Sequence, residues 1–392
     1  MKRIGIFGGT FDPPHAGHVQ AAQYACQALR LDELLVIPAC IPPHKQPAAA
    51  SATAEQRLKM LQMCFAGQEK IRVLDLELRR GGVSYTYETV EQLAGEYPDG
   101  ELILLMGTDM FLSFDTWRNT DRILKNASLA VLYRGERNEK AAVARQKTAL
   151  EEKGVKVYSP ENPVTAISSS NLRRMLCFGC ADEFLRPVVS DYIRKNGLYG
   201  IDHDLRGLTM DKLEQAVVSL LKPDRVNHVL GCRDTAIRLA QIWGENETDA
   251  ARAALLHDIT KALDGPLQLT LCKAYGIILD NFSIQNPKTL HALTGSLVAQ
   301  RIFGENDAVV SAICSHTTGK ADMNTLEKII YVADYMEPNR AFDGVEELRR
   351  LACTDLDGAL KMGLEMTLEV LRREGREISP SSREALAWLA KQ

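Results

Sequence analysis

Through the first two hundred residues, short apolar runs alternate with longer amphipathic stretches, and beyond that the alternation stops. Ile4–Phe7, Leu34–Ile37, Ile71–Leu74, Leu102–Met106, Leu129–Leu132 and Val155–Val157 read as buried strands. Between them, Val19–Leu29 and Ala54–Phe65 carry helical spacing. Strands and helices in turn predict an α/β unit with a parallel sheet covered by helices. Ligands of such sheets bind beyond the carboxyl ends of the strands. After about residue 205 the spacing is helical almost throughout: Leu213–Leu221, Val226–Trp243, Asp249–Leu256, Leu290–Ile302, Ala308–Cys314, Thr325–Tyr335 and Leu356–Arg372. The expected organisation is therefore α/β then all-α, with domains at 1–200 and 205–392 meeting near Gly197–Leu208.

The first strand breaks into Gly8-Gly9-Thr10-Phe11-Asp12-Pro13-Pro14-His15-Ala16-Gly17-His18. A helix cannot start before the double proline, so this is a strand, a glycine loop and a helix N-terminus. Glycines there let backbone N–H groups approach a phosphate, and a helix N-terminus favours negative charge. His15 and His18 lie three residues apart, which predicts one helical face and two imidazoles aimed at one anion. The string lacks the third glycine and the spacing of the G-x-G-x-x-G dinucleotide fingerprint.

Composition narrows the function classes. The chain has 392 residues, 45% apolar and 25% charged, which is ordinary for a globular protein. The first 200 residues carry 25 basic and 23 acidic side chains, the remainder 22 and 28. Neither part has a basic tail, so nucleic acid is not an expected partner, and anions must be held by local sites. No apolar run reaches membrane-spanning length, the N-terminus has no signal-peptide pattern, and nine scattered cysteines suit a reducing cytoplasm. Cys177 and Cys180 form an isolated CxxC that reads as ordinary thiols. A homo-oligomer is left open.

Further pieces follow the expected strands. Pro42-Pro43-His44-Lys45 offers a point charge for a phosphate. Gly107-Thr108-Asp109 lies on the ligand side of the sheet, with Trp117 beyond it as a stacking face. Ile167-Ser168-Ser169-Ser170-Asn171-Leu172-Arg173 places hydroxyl caps at a helix start, with an arginine expected on the first turn. Together with the glycine string, these resemble the bacterial nicotinate-nucleotide adenylyltransferases of the nucleotidylyltransferase superfamily, with Ser170 and Leu172 where that family's ISSTxIR motif has threonine and isoleucine. The resemblance implies a Rossmann-like sheet and transfer of AMP from ATP, carried with Mg²⁺, to nicotinate mononucleotide. It assigns Gly8, Gly9, Thr10, His15, His18, Ser169 and Arg173 to ATP, with His15, His18 and Arg173 catalytic. Lys45, Tyr85, Thr86, Asp109 and Trp117 would surround the pyridine nucleotide. Another phosphorylated acceptor, such as phosphopantetheine, is the rival substrate.

In the helical part, His228, His257-Asp258, His291, His316 and Asp334 fall in or near separate helices. Imidazoles and carboxylates without a cysteine ligand pattern suit iron, manganese or zinc and argue against a structural zinc. Their order resembles the HD-domain phosphohydrolases. His257-Asp258-Ile259-Thr260-Lys261, Ser315-His316-Thr317 and Ala333-Asp334-Tyr335-Met336-Glu337-Pro338-Asn339-Arg340 resemble the symmetrical diadenosine-tetraphosphate hydrolases in particular. That resemblance implies an HD-type fold holding one or two divalent metals, iron first, on His228, His257, Asp258, His291, His316 and Asp334. Asp258 would be catalytic as the bridge between ions, Lys261 catalytic and Arg340 substrate-binding beside the phosphates, and the product two ADP. The rivals are a different nucleotide phosphodiesterase on the same scaffold and a nucleotide-binding regulatory module.

Overall fold

The computed structural model describes residues 1–43, 51–135, 138–165 and 167–391. It divides into two compact units, Met1–Asp202 and His203–Gln392.

The first unit is built on six strands: β1 (Lys2–Gly9), β2 (Glu33–Pro38), β3 (Ile71–Val73), β4 (Gly100–Gly107), β5 (Ser128–Leu132) and β6 (Val157–Tyr158). They lie in the order β3-β2-β1-β4-β5-β6, and every pairing is parallel. This is a Rossmann-like sheet whose strand order reverses between β1 and β4. The switch sets the loops after Gly9 and Gly107 side by side at the carboxyl edge, where such sheets bind ligands. Ile4, Ile6, Leu35, Ile37, Leu102, Leu104, Leu129 and Val131 point to one core, with Val90, Leu93, Val143 and Leu150 packed on them. Their neighbours Leu34, Val36, Ile103, Leu105 and Ala130 are equally buried on the other face. Two covered faces explain why these strands read as continuous apolar runs.

The sixth strand starts later than its apolar run suggests. Gly154, at φ 81°, and Val155 close the end of the Glu139–Glu151 helix, and Val155 N–H donates to the Leu150 carbonyl at 3.1 Å. Pairing with β5 begins only at Lys156–Val157.

The second unit is helical, and no strand occurs among its described residues. The helices that matter below are Pro223–Trp243, Glu247–Leu256, Leu290–Val298, Asp307–Ser315 and Thr325–Met336. Leu290–Ile302 is not one uniform helix: it widens into a π-helical turn at Ala299–Phe303, stopped by Gly304 at φ 69°. Helices at Gly265–Ala274 and Pro380–Leu389 have no counterpart in the sequence reading. Each has a proline at its first or second position after a polar cap residue, a start signal that the weak apolar spacing obscured. Among the described residues, no helix is long and apolar enough to cross a membrane.

Candidate functional site

In the first unit the glycine loop is held from outside by polar side chains. Arg57, buried in the Ala54–Phe65 helix, donates to the Thr10 carbonyl at 2.7 Å and to the Ala39 carbonyl at 2.8 Å. Arg173 donates to the Asp12 carbonyl at 2.5 Å, and the Ser169 hydroxyl to the Pro13 carbonyl at 3.1 Å. The Asp12 carboxylate is buried and accepts from the Tyr199 hydroxyl at 2.8 Å and from Ala52 N–H at 3.2 Å. A Cβ on Gly9 would meet the Phe11 ring at 3.0 Å, whereas one on Gly8 would enter open space. The loop is thus fixed on its inner side and bare where Gly8 faces out.

His15 and His18 do come together, though not as two positions on one helical face. His15 is the residue before the Ala16–Ala28 helix, in extended geometry, and His18 is that helix's third residue. Their rings stack at 3.7 Å between centroids, and His18 Nδ1 accepts from His15 N–H at 3.3 Å. Phe11 packs edge-on against His18 at 4.9 Å. His15 is buried and its Nδ1 has no hydrogen-bond partner. Burial, aided by the Arg134 charge, pushes its pKa down to about 3, so the imidazole is neutral near pH 7.

Of the other first-unit candidates, Ser169, Arg173, Tyr85, Thr86 and Asp109 lie by the carboxyl ends of β1, β2 and β4. Ser168 caps the Ser169–Cys177 helix by accepting from Asn171 N–H at 3.1 Å. Arg173 is the fifth residue of that helix and so lies on its second turn, not its first. From there it reaches back across the helix start to Asp12. Asp109 pairs with Arg134 at 3.2 Å, both part-exposed, and a Cβ on Gly107 would lie 2.6 Å from Arg134 Nε. Ser84 N–H donates to the Ile41 carbonyl, and the Ser84 hydroxyl accepts from Cys40 N–H at 2.8 Å. These bonds carry Tyr85 and Thr86 to the end of β2. Tyr85 lies under the Arg118 guanidinium at 4.9 Å, and Trp117 packs on Phe114 at 5.5 Å. Lys45 lies outside the described residues.

In the second unit, five helical segments converge on one polar centre. His228 Nε2 lies 3.1 Å from Asp334 Oδ1 and 3.8 Å from Asp258 Oδ2. His257 Nε2 lies 3.6 Å from Asp258 Oδ2 and 3.9 Å from Asp334 Oδ1. On the other side of Asp258, its Oδ1 is 3.4 Å from His291 Nε2 and 3.9 Å from His316 Nε2. Asp258 therefore stands between a pair of histidines on each side. His257, His291 and His316 each point Nδ1 at the carbonyl three residues back, at 2.6, 2.8 and 2.6 Å. With Nδ1–H donated there, the Nε2 lone pair is turned inward, the tautomer a metal ligand needs.

The electrostatics fit a cation. Burial opposes ionisation of Asp258, yet His257, Lys261 and His291 outweigh it and hold the carboxyl below its ordinary range. Asp334 is likewise held well below, burial being overcome by the His228 hydrogen bond and by His257, His316 and Arg340. Burial, with Lys261 beside it, pushes His291 down to about 3; burial, with His257, takes His316 to about 4. Neutral imidazoles next to ionised carboxylates are a donor set for a divalent metal. His257 Nε2 and Asp258 Oδ1 are buried without hydrogen-bond partners, and both atoms are of a kind that binds a divalent metal. Cys232, one turn beyond His228, completes a potential ligand group with His228, His257 and Asp334.

Cations border the centre. Lys261 Nζ is 2.7 Å from His291 Nε2 and 3.7 Å from Asp258 Oδ1. Arg340 donates to Asp334 Oδ1 at 2.8 Å, and Arg225 makes a close pair with Asp258 Oδ2.

Residues 6–175 match the cytidylyltransferase-like family, and residues 225–339 match the HD domain. A protein of Shouchella clausii named "Probable nicotinate-nucleotide adenylyltransferase" is 37% identical over 205 residues, 52% of this chain and 100% of its own length. A protein of Neisseria gonorrhoeae with the same name is 34% identical, over 51% of this chain and 99% of its own. Through its first half, the chain belongs to the nicotinate-nucleotide adenylyltransferase family. That membership leaves the second half to the HD domain. A crystal structure from Clostridium acetobutylicum, described as a "predicted HD superfamily hydrolase involved in NAD metabolism", shares 38% identity at a TM-score of 0.46, over 47% of this chain and 98% of its own.

Several residues in these sites escaped the sequence reading. Arg57 and Tyr199 lie far along the chain from the adenylyltransferase loop they hold, and no local spacing marks them. Arg225 and Cys232 share a helix with His228, so helical spacing from that histidine was the available signal.

Proposed function

We propose that the chain is a bifunctional enzyme of phosphate chemistry. Residues 1–200 form an adenylyltransferase domain that transfers AMP from ATP to nicotinate mononucleotide, a step of NAD biosynthesis. A phosphate oxygen of the mononucleotide attacks the α-phosphorus of MgATP, and the bond to pyrophosphate breaks. Such in-line transfer needs positioning and charge neutralisation more than a covalent nucleophile. The observation that carries this reading is the stacked His15–His18 pair at a helix start beside the outward-facing Gly8. His18 donates to the α-phosphate as charge develops, while His15, Thr10 and the Gly8–Gly9 backbone seat the nucleotide. Arg173 and Ser169 face the pyrophosphate end, and Lys45, Tyr85, Thr86, Asp109 and Trp117 hold the pyridine nucleotide. Pyrophosphate release from ATP, measured with nicotinate mononucleotide, nicotinamide mononucleotide and phosphopantetheine in turn, tests this reading. Fastest turnover with phosphopantetheine would replace it.

Residues 205–392 form a metal-dependent phosphohydrolase domain that splits diadenosine tetraphosphate into two ADP. Its support is the pair of partnerless buried atoms, His257 Nε2 and Asp258 Oδ1, beside the ionised Asp334 carboxylate and the neutral His291 and His316 imidazoles. One or two divalent ions held by His228, His257, Asp258, His291, His316 and Asp334 would supply a water of lowered pKa and neutralise the attacked phosphate. Iron suits this nitrogen and oxygen set first, manganese or zinc next. Lys261 and Arg340, on opposite sides of Asp258, receive the flanking phosphates. Incubation with diadenosine tetraphosphate and each metal, with products separated by chromatography, tests the reading. AMP and ATP in place of ADP would exclude the symmetrical cut, and no hydrolysis with any metal would favour a regulatory module. Nine cysteines without a disulfide support a cytoplasmic setting.

A further inference from the structure

His228 differs from the other three histidines of the polar centre in what holds its outer nitrogen. His257, His291 and His316 each donate Nδ1–H to a backbone carbonyl of their own helical turn. His228 Nδ1 instead faces the carboxylate of Glu337, at 3.1 Å from Oε1. Glu337 is 1% exposed, a position an acidic side chain occupies only with its oxygens satisfied. Its second oxygen accepts from Asn339 N–H at 2.7 Å and from the Asn339 side-chain amide at 2.8 Å. Arg340 Nε stands 4.0 Å from Oε1, and Arg349 donates to the Glu337 carbonyl at 2.9 Å.

The His228 helix makes room for this carboxylate. A Cβ on Gly231 would come within 2.5 Å of Glu337 Oε2 and 3.2 Å of Asn339 Nδ2. Gly231 has ordinary helical geometry, so its lack of a side chain serves the approach of Glu337 and not the backbone. Asp334 and Glu337 are also one turn apart on the same segment. That segment therefore brings one oxygen to the inner face of His228 and another to its outer face.

We propose that Glu337 is a positioning residue for the metal, acting through His228. Its carboxylate fixes the ring so that Nε2 faces the ion, and its negative charge makes that nitrogen a stronger donor. A carbonyl partner, as at the other three histidines, orients the ring without adding a full charge. This inference rests on the metal-centre reading above.

The test uses Co²⁺ alone as the probe, on the full chain, by competition with a chromophoric chelator. Glu337→Gln keeps the shape and removes the charge, and should weaken Co²⁺ binding by about 10- to 100-fold. The visible spectrum of the bound Co²⁺ should shift, while the unfolding temperature of the metal-free chain stays close to wild type. Gly231→Ala leaves the carboxylate in place chemically but pushes it away, and should reproduce the loss of affinity. It carries the test on its own where Glu337→Gln does not fold. Wild-type Co²⁺ affinity in a folded Glu337→Gln chain overturns the inference and leaves the metal centre standing. A wild-type chain that binds no Co²⁺ overturns both.

Discussion

On the reading proposed above, the two units meet the same problem, phosphate charge, with opposite preparations. In the first, His15 is neutral and stacked on His18 among backbone groups, with arginine side chains on the surrounding segments. In the second, two carboxylates are held ionised and the imidazoles turn their Nε2 atoms toward a common centre. In that reading one site takes an anion directly, and the other takes a cation that then meets the anion. The difference also shows in how each is assembled. The first unit's loop is a single stretch of eleven residues, whereas the second draws a residue or two from each of five helical segments.

The largest separation between the sites should come from Asp258→Ala. Removing the carboxylate between the two histidine pairs should take hydrolysis of diadenosine tetraphosphate to background, with pyrophosphate release by the first unit unchanged. Retained hydrolysis would show that Asp258 is not the group the second site is built around. Next in size is His18→Ala, expected to cut adenylyl transfer by at least ~100-fold, the scale of a lost transition-state donor. Here hydrolysis should be untouched, and near-normal transfer would remove His18 from the mechanism.

A smaller effect comes from acid. Folded His15 resists a proton down to about 3, whereas an unfolded histidine accepts one near 6.5. The unfolded chain then binds more protons in that window, so this stabilisation is present above 6.5 and is lost progressively as pH falls towards 3. Urea midpoints between pH 7 and 4 should fall, and should fall less steeply in His15→Gln. Equal slopes would mean that His15 does not contribute. Smallest is Ser168→Ala, which loses the cap on the Ser169–Cys177 helix and should cost about 1 kcal/mol. A thermal melt of this variant unchanged from wild type would show that Arg173 and Ser169 hold the helix start without it.

The contrast in assembly explains what was legible in the sequence. The four inner strands announce themselves because both sheet faces are buried, so Leu34–Ile37 or Leu102–Met106 is apolar without interruption. His15 and His18 were found because the loop chemistry is contiguous, although the ring stack depends on His15 standing just outside the helix. The Gly265–Ala274 helix was missed because its opening Gly-Pro reads as a turn. Arg57, Tyr199, Arg225 and Glu337 could be seen but not assigned: each works through a partner distant in sequence. In the second unit only the HD pair is local; the four histidines were expected together through the family resemblance, and the helices place them around Asp258.

One knot in the first unit bears on how the protein is made. Asp12 leaves the ribosome well before Tyr199, yet the hydroxyl that satisfies its carboxylate belongs to Tyr199, near the end of the same unit. Arg173, which grips the neighbouring carbonyl, also arrives late. A nascent chain, or a fragment cut before Tyr199, would carry every residue of the glycine string and still lack the clasp that gives it shape.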